Sequence, residues 1–274
     1  MGWVSTPNTF MNISSNARIY DLEQPRYFGA PIYPSHAPGY FYTLHRHHER
    51  GMGEARTSAS GFMYTTEHSG THIDALCHQA EDLHLYGGRE VDASMQTPYG
   101  FTELGVETIA PLITHGVLLD IARHRGVGHI GAGYPIQRDD LEAAAQNQGV
   151  PVGEGDVILL RTGNGALWQD PAVYLQAGGV SAGASSWLAS RGVRAVGADN
   201  VACDEVGVVD PHLKVTLPGH VILLVRNGIY IIENLFLEEL AREQCYEFTF
   251  ICLPLKLRGA TGSPVRPVAI APGE

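Results

Sequence analysis

The apolar positions of this 274-residue chain fall into runs of two kinds. GVLLDIA (116 to 122) and GDVILLRTG (155 to 163) are continuous apolar runs of strand length, and both predict β-strands. Between them IQRDDLEAAAQNQG (136 to 149) is rich in helix formers and closes on Gly149, which predicts a helix. The order then repeats. SAGASSWLASRG (181 to 192) predicts a helix capped by Ser181 and stopped by Gly192, followed by the strand VRAVGAD (193 to 199). GHVILLVRNG (219 to 228) fits helix and strand equally well, IYII predicts a strand, LEELA a short helix, and YEFTFICLPLKL (246 to 257) a last strand. Strands alternating with helices predict one α/β domain with a mixed sheet over residues 1–274. The first 60 residues are rich in proline, glycine and aromatics without sustained periodicity, so 1–60 reads as a loop-rich arm and 61–274 as the catalytic core.

Composition narrows the class of partner. With 44% hydrophobic and 17% charged residues the chain has material for a large core. Its net charge is -11 and its only lysines are Lys214 and Lys256, so no basic stripe exists to neutralise phosphates. Nucleic acid and anionic membrane surfaces are excluded as expected partners, and a small molecule is favoured. Cys77, Cys203, Cys245 and Cys252 form no CxxC pair, which argues against a disulfide framework and a zinc ribbon and for a reducing, cytoplasmic setting. The start MGWVSTPNTF lacks the basic and apolar regions of a signal peptide, and no apolar stretch approaches the about 18 residues of a membrane span.

Chemistry concentrates in HSGTHIDALCH, residues 68 to 78, which holds three histidines and an aspartate in eleven positions. His68, His72, Asp74 and His78 would share one face of a strand. At about 3.3 Å per residue, however, His68 and Asp74 would stand roughly 20 Å apart in a straight strand, too far to converge. A helix would bring His68 and His72 together but swing Asp74 about 240° away. The segment must bend, and Gly70 is the residue that permits it. Two neutral imidazoles and a carboxylate form a mixed N/O set suited to Zn²⁺ or Mn²⁺ with coordination positions left open, the composition of a catalytic site.

These residues resemble the metal-dependent cyclase family, which includes bacterial kynurenine formamidases and isatin hydrolases. Its hallmark is HxGTHxD with a further histidine four residues after the aspartate, matched here by His68, Gly70, Thr71, His72, Asp74 and His78. DLEQP, LLDIA, GDVILLRTG, HVILLVRNGIYIIENL and GATGSPVRPVAI look like family blocks in family order. Leu76 stands where kynurenine formamidases commonly carry proline, and with the following LHLYGG it looks more like the isatin hydrolase side. The resemblance implies a swivelling β/α fold, a homodimer or homotetramer, and an N-terminal arm that covers its own or a neighbour's pocket. It implies that His68, His72 and Asp74 bind metal and that His78 is the acid/base residue. At the positions of a second site in two-metal relatives stand His220 and Glu233, with His212 a nearby competitor.

The expected reaction is opening of an amide or lactam bond in a small aryl substrate by metal-bound hydroxide, with His78 as general base. Phe41, Tyr42, Phe62, Tyr64 and Trp168 are candidates to line a flat apolar pocket. Alternatives on the same site are lactone hydrolysis, a polyketide cyclase-like activity, or metal and ligand binding without catalysis. GVSAG (179 to 183) fits a serine-hydrolase elbow, but no strand is predicted before it and Ser181 reads as a helix cap. GVGHIG (126 to 131) is followed too soon by Pro135 for a dinucleotide-binding helix, and HRHH (45 to 48) reads as an exposed loop.

Overall fold

The computed structural model describes residues 16–51 and 53–273. The stretch MGWVSTPNTF and the first part of the arm lie outside the described residues.

A mixed nine-stranded sheet organises a single α/β domain. Its strands are β1 (Arg18–Asp21), β2 (His72–Asp74), β3 (Leu112–Asp120), β4 (Val157–Arg161), β5 (Ala195–Ala198), β6 (Tyr230–Glu233), β7 (Glu247–Cys252), β8 (Gly262–Pro264) and β9 (Val268–Ala271). They lie in the order β1-β9-β7-β3-β4-β5-β6-β2-β8. Strands β3 to β6 run parallel because each crossover between them carries a helical segment. Leu118, Leu119 and the run from Val157 to Leu160 are fully buried, which explains why these strands read as unbroken apolar runs instead of alternating ones.

The helices obey their end signals. Arg138–Gln148 opens with a reciprocal capping box between Gln137 and Asp140 and closes on Gly149 at φ 69°, a left-handed conformation in which glycine bears no side-chain clash. Ser181 caps Ala182–Ser190 by accepting from Ala184 N. The ambiguous GHVILLVRNG is helical: Pro218–His220 is an α-turn that widens into a π-helix over Val221–Arg226. Residues Val221 to Val225 are all buried, so this helix has no polar face and its period was invisible.

The described part of the first 60 residues, 16–51 and 53–60, contains paired strands as well as loops. β1 forms one edge of the large sheet, and Tyr40–Arg46 pairs with Ser60–Thr65 in an antiparallel hairpin that crosses the 60/61 boundary. Among the described residues no helix is long and apolar enough to cross a membrane, and the four cysteines are free.

Two pairings place the site. β2 lies antiparallel to β6 with Glu233 opposite His72, and β8 pairs with the other side of β2 with Gly262 opposite Asp74. Side chains from three distant segments therefore meet at one end of the parallel strands.

Candidate metal centre

Gly70 makes the required bend at φ +64°, and a Cβ there would come 3.0 Å from the Arg26 side chain, so both conformation and space demand glycine. Beyond the bend, β2 points His72 and Asp74 to the same side, while His68 folds back to put Nδ1 2.9 Å from Asp74 Oδ1. Glu233 arrives from β6 and His220 from the α-turn Pro218–His220. All five residues are buried, Asp74 at 1% exposure.

The protons of this cluster can be placed from its neighbours. Nδ1 of His72 lies 2.8 Å from the Gly70 carbonyl, which only accepts, so this nitrogen donates. Nδ1 of His220 likewise donates to Asp204 Oδ2 at 2.8 Å. In a neutral ring the lone pair then sits on Nε2. Nε2 of His72 faces Glu233 Oε2 at 3.3 Å and Asp74 Oδ1 at 3.5 Å. Nε2 of His220 faces Glu233 Oε1 at 3.4 Å and Asp74 Oδ2 at 3.6 Å. Asp74 Oδ2 and Glu233 Oε1 are buried without any hydrogen-bond partner.

Buried acceptors facing one another require a positive charge between them, either protons on the imidazoles or a cation. The electrostatics show the same demand. Burial opposes charging of His220 and His72, yet Asp204, Glu233 and Asp74 outweigh it and raise both pKa values. Burial likewise opposes ionisation of Asp74, but His78, His68 and His72 hold its carboxyl below the usual carboxylate range. A mixed imidazole and carboxylate set around unpaired oxygens fits a divalent ion, with Zn²⁺ and Mn²⁺ both compatible.

His78 joins this cluster through Asp74: a ring nitrogen of His78, a carboxylate oxygen of Asp74 and a ring nitrogen of His220 lie within 4.8 Å of one another. The His78 ring stacks on His68 at 4.0 Å and lies 6.1 Å from His220. Burial, reinforced by the neighbouring histidines, pushes its pKa well below the ordinary value despite the pull of Asp74. His78 is thus a neutral imidazole at neutral pH.

Above the cluster opens a cavity of about 890 Å³, walled by His36, Met63, Glu67, Leu255, Leu257 and Pro264 with His68 and His78 at its inner end. The aromatic candidates take other places. Met63 and Thr65 line the cavity, so strand alternation turns Phe62 and Tyr64 to the opposite face, where Phe41 pairs with Tyr64 and all three are exposed. Tyr42 is exposed on the same hairpin. Trp168 is 2% exposed, packs edge-on against Tyr174 at 4.9 Å and donates from Nε1 to the Pro25 carbonyl. It belongs to a separate apolar cluster because its indole N–H finds an acceptor there.

The remaining alternatives separate clearly. His212 is exposed on a turn beside Asp210, apart from the cluster. Ser181 Oγ caps its helix and contacts Gln137 Oε1 at 3.1 Å, a cap's partners rather than a nucleophile's. His45 and His48 are exposed and bond Ser60 and Thr57.

Several contributors left no mark in the sequence. His36, on the turn Pro34–His36, stacks on His68 at 4.7 Å. Asp204 holds His220 from a loop. Asn234, at φ +56°, donates from Nδ2 to the Gly70 carbonyl at 3.0 Å while Tyr174 OH donates to its Oδ1 at 2.8 Å, fixing the acceptor that orients His72. A lone acid or amide in a loop carries no spacing signal; only tertiary pairing reveals it.

Comparison with known proteins agrees with this architecture. Residues 20–205 match the family described as "Putative cyclase". The chain is 26% identical over 255 residues to the kynurenine formamidase of Sphingopyxis alaskensis, covering 92% of this chain and 97% of that protein. It is 26% identical to cyclase-like protein 2 of Oryza sativa subsp. japonica over 81% of this chain and 69% of that protein. The crystal structure of a novel cyclase superposes with a TM-score of 0.83 at 29% identity, covering 95% and 90% of the two chains. Isatin hydrolase A from Ralstonia solanacearum shares the fold at a TM-score of 0.71 and 22% identity, covering 94% and 93%. With the family match over residues 20–205 spanning more than half of the chain and all of the HSGTHIDALCH segment, this chain belongs to the cyclase family.

Proposed function

We propose that this protein is a metal-dependent hydrolase that opens the C–N bond of a small aryl amide or lactam, in the manner of an arylformamidase or an isatin hydrolase. The observation that carries the reading is the convergence of buried ring nitrogens and carboxylate oxygens from His72, His220, Asp74 and Glu233 beside a cavity of about 890 Å³. His68, His72 and Asp74 would hold a Zn²⁺ or Mn²⁺ ion, with His220 and Glu233 completing the set or holding a second ion. Such an ion, when bound, supplies an acidified water and a polarised substrate carbonyl.

The chain's own residues account for the rest. His78, neutral through burial, carries its lone pair on Nε2, where the Gln79 side-chain amide donates to it at 3.3 Å, and by displacing that long contact this nitrogen would accept the proton of the attacking water and return it to the departing nitrogen. Leu255, Leu257, Met63 and Pro264 offer an apolar wall for an aryl ring, and Thr65, Thr66 and Thr261 offer polar contacts to its substituents. The exposed apolar side chains of the hairpin, Phe41, Tyr42, Leu44 and Phe62, support assembly as a homodimer or homotetramer.

The test is turnover of N-formylkynurenine and isatin by protein stripped with a chelator and then reloaded with Zn²⁺ or Mn²⁺. Activity should vanish on stripping and return on reloading. Hydrolysis that persists in metal-free protein would remove the basis for the reading.

A further inference from the structure

The metal-dependent reading above leaves open which nitrogen of His68 meets the ion, and the structure answers it through two residues outside the motif. We infer that Glu67 and Thr261 form a relay that holds the proton of His68 on Nε2, so that His68 ligates through Nδ1 whereas His72 and His220 ligate through Nε2.

One hydroxyl proton decides the tautomer. Thr261 Oγ1 lies 2.5 Å from Glu67 Oε1, and Thr261 N lies 3.1 Å from Glu67 Oε2, so both carboxylate oxygens act as acceptors for the same residue. The hydroxyl has a single hydrogen, and the short contact to a carboxylate takes it. Toward His68 Nε2, 2.8 Å away, the threonine oxygen is therefore left only as an acceptor, and Nε2 must supply the hydrogen. The lone pair of the neutral ring falls on Nδ1, 2.9 Å from Asp74 Oδ1. This is another buried acceptor turned toward a carboxylate, as at His72 and His220.

Packing prevents the ring from escaping by rotation. Thr261 immediately precedes β8, whose pairing sets Gly262 opposite Asp74. A Cβ on Gly262 would come 2.6 Å from Cε1 of His68, so the strand backbone lies against the ring. His36 stacks on it at 4.7 Å and His78 at 4.0 Å. The ring is clamped between strand and imidazoles, and the relay sets its proton. Glu67 and Thr261 also line the cavity, so the relay runs from the inner ligand to the wall that a substrate would touch. Both are positioning residues, since neither reaches the cluster except through His68.

The experiment is a long-range ¹H–¹⁵N correlation spectrum of histidine-labelled full-length protein loaded with Zn²⁺, assigned with His→Gln variants. His68 should appear protonated at Nε2 and zinc-bound at Nδ1, with His72 and His220 the reverse. Thr261→Val keeps the shape and removes the acceptor, and should weaken Zn²⁺ binding by about 10- to 100-fold, whereas Thr261→Ser should stay within about threefold of wild type. Zinc bound to His68 through Nε2, or a valine variant with wild-type affinity, overturns the inference and leaves the hydrolase reading intact. A wild-type chain that takes up no zinc overturns both.

Discussion

Asp204→Asn probes the construction of the centre from outside it, because Asp204 touches His220 without facing the unpaired oxygens. The carboxylate is fully buried and accepts from Gly219 N at 2.6 Å on one oxygen, and from His220 N at 3.1 Å and His220 Nδ1 at 2.8 Å on the other. Asparagine fills the same volume but places an NH₂ against donors in either orientation. At the first oxygen it meets the Gly219 N–H; at the second it meets both groups of His220. One charge-assisted hydrogen bond is lost, about 1.5–3 kcal/mol. His220 is relieved by moving its proton to Nε2, which then points at Asp74 and Glu233 and fills the place of the ion. An outer partner of this kind is worth about 10- to 100-fold in metal affinity, or roughly 1.4–2.7 kcal/mol. Competition for Zn²⁺ against a chromophoric chelator should show the Kd rising by that factor. The ion-free melting temperature should fall by about 3 to 12 °C for a chain of this size. A Kd within about threefold of wild type would refute the proton placement on which the centre is built.

His78→Ala should keep full zinc occupancy and lose about 10²- to 10⁴-fold in kcat, since a general base need not touch the ion; turnover within threefold of wild type at full occupancy would assign the proton to another group. For pH, the raised pKa values of His72 and His220 mean that the stability they contribute to the ion-free chain is complete below the ordinary histidine value near 6.5 and fades as pH rises through the raised values. An ion replaces those protons, so the rise in melting temperature on adding Zn²⁺ should grow from about pH 6 to pH 8, and a pH-independent rise would contradict the proton-for-ion exchange. Met63→Ala should raise KM for an aryl amide several-fold while Phe62→Ala leaves it near wild type, because only Met63 faces the cavity; equal effects would mean the hairpin works through its other face.

What could be read from the chain and what could not differ by physical cause. The bend at Gly70 followed from distance alone, because no regular element brings His68 to Asp74. Strands β3 and β4 and the helix Arg138–Gln148 were legible because their apolar runs and end signals are local. GHVILLVRNG was not, since a helix buried on all sides carries no period, and the polar neighbours that would mark its start belong to other segments. Residue type points to Phe62 and Tyr64, yet hairpin parity decides which side chains face the cavity, and Met63 and Thr65 line it. Asp204, Asn234, Thr261 and His36 reach the site through pairings between β2, β6 and β8 or through loops that cross them, so nothing near them in sequence announces the role. Glu233 stands opposite His72 by strand register, a pairing of distant segments that local pattern could not give, whereas the resemblance names Glu233 only as a position of a second metal site.

The proposed hydrolase requires that the buried ring nitrogens and carboxylate oxygens of His72, His220, Asp74 and Glu233 hold a divalent ion. Calorimetric titration of Zn²⁺ into chelator-stripped wild-type protein and into Asp74→Asn tests it directly, because the substitution replaces one acceptor oxygen with a donor and leaves the volume unchanged. Wild-type protein should bind at least one ion per chain saturably, and the variant should lose 100-fold or more in affinity, on the order of 2.7 kcal/mol. A wild-type chain without saturable binding, or an Asp74→Asn chain that binds as wild type does, would contradict it.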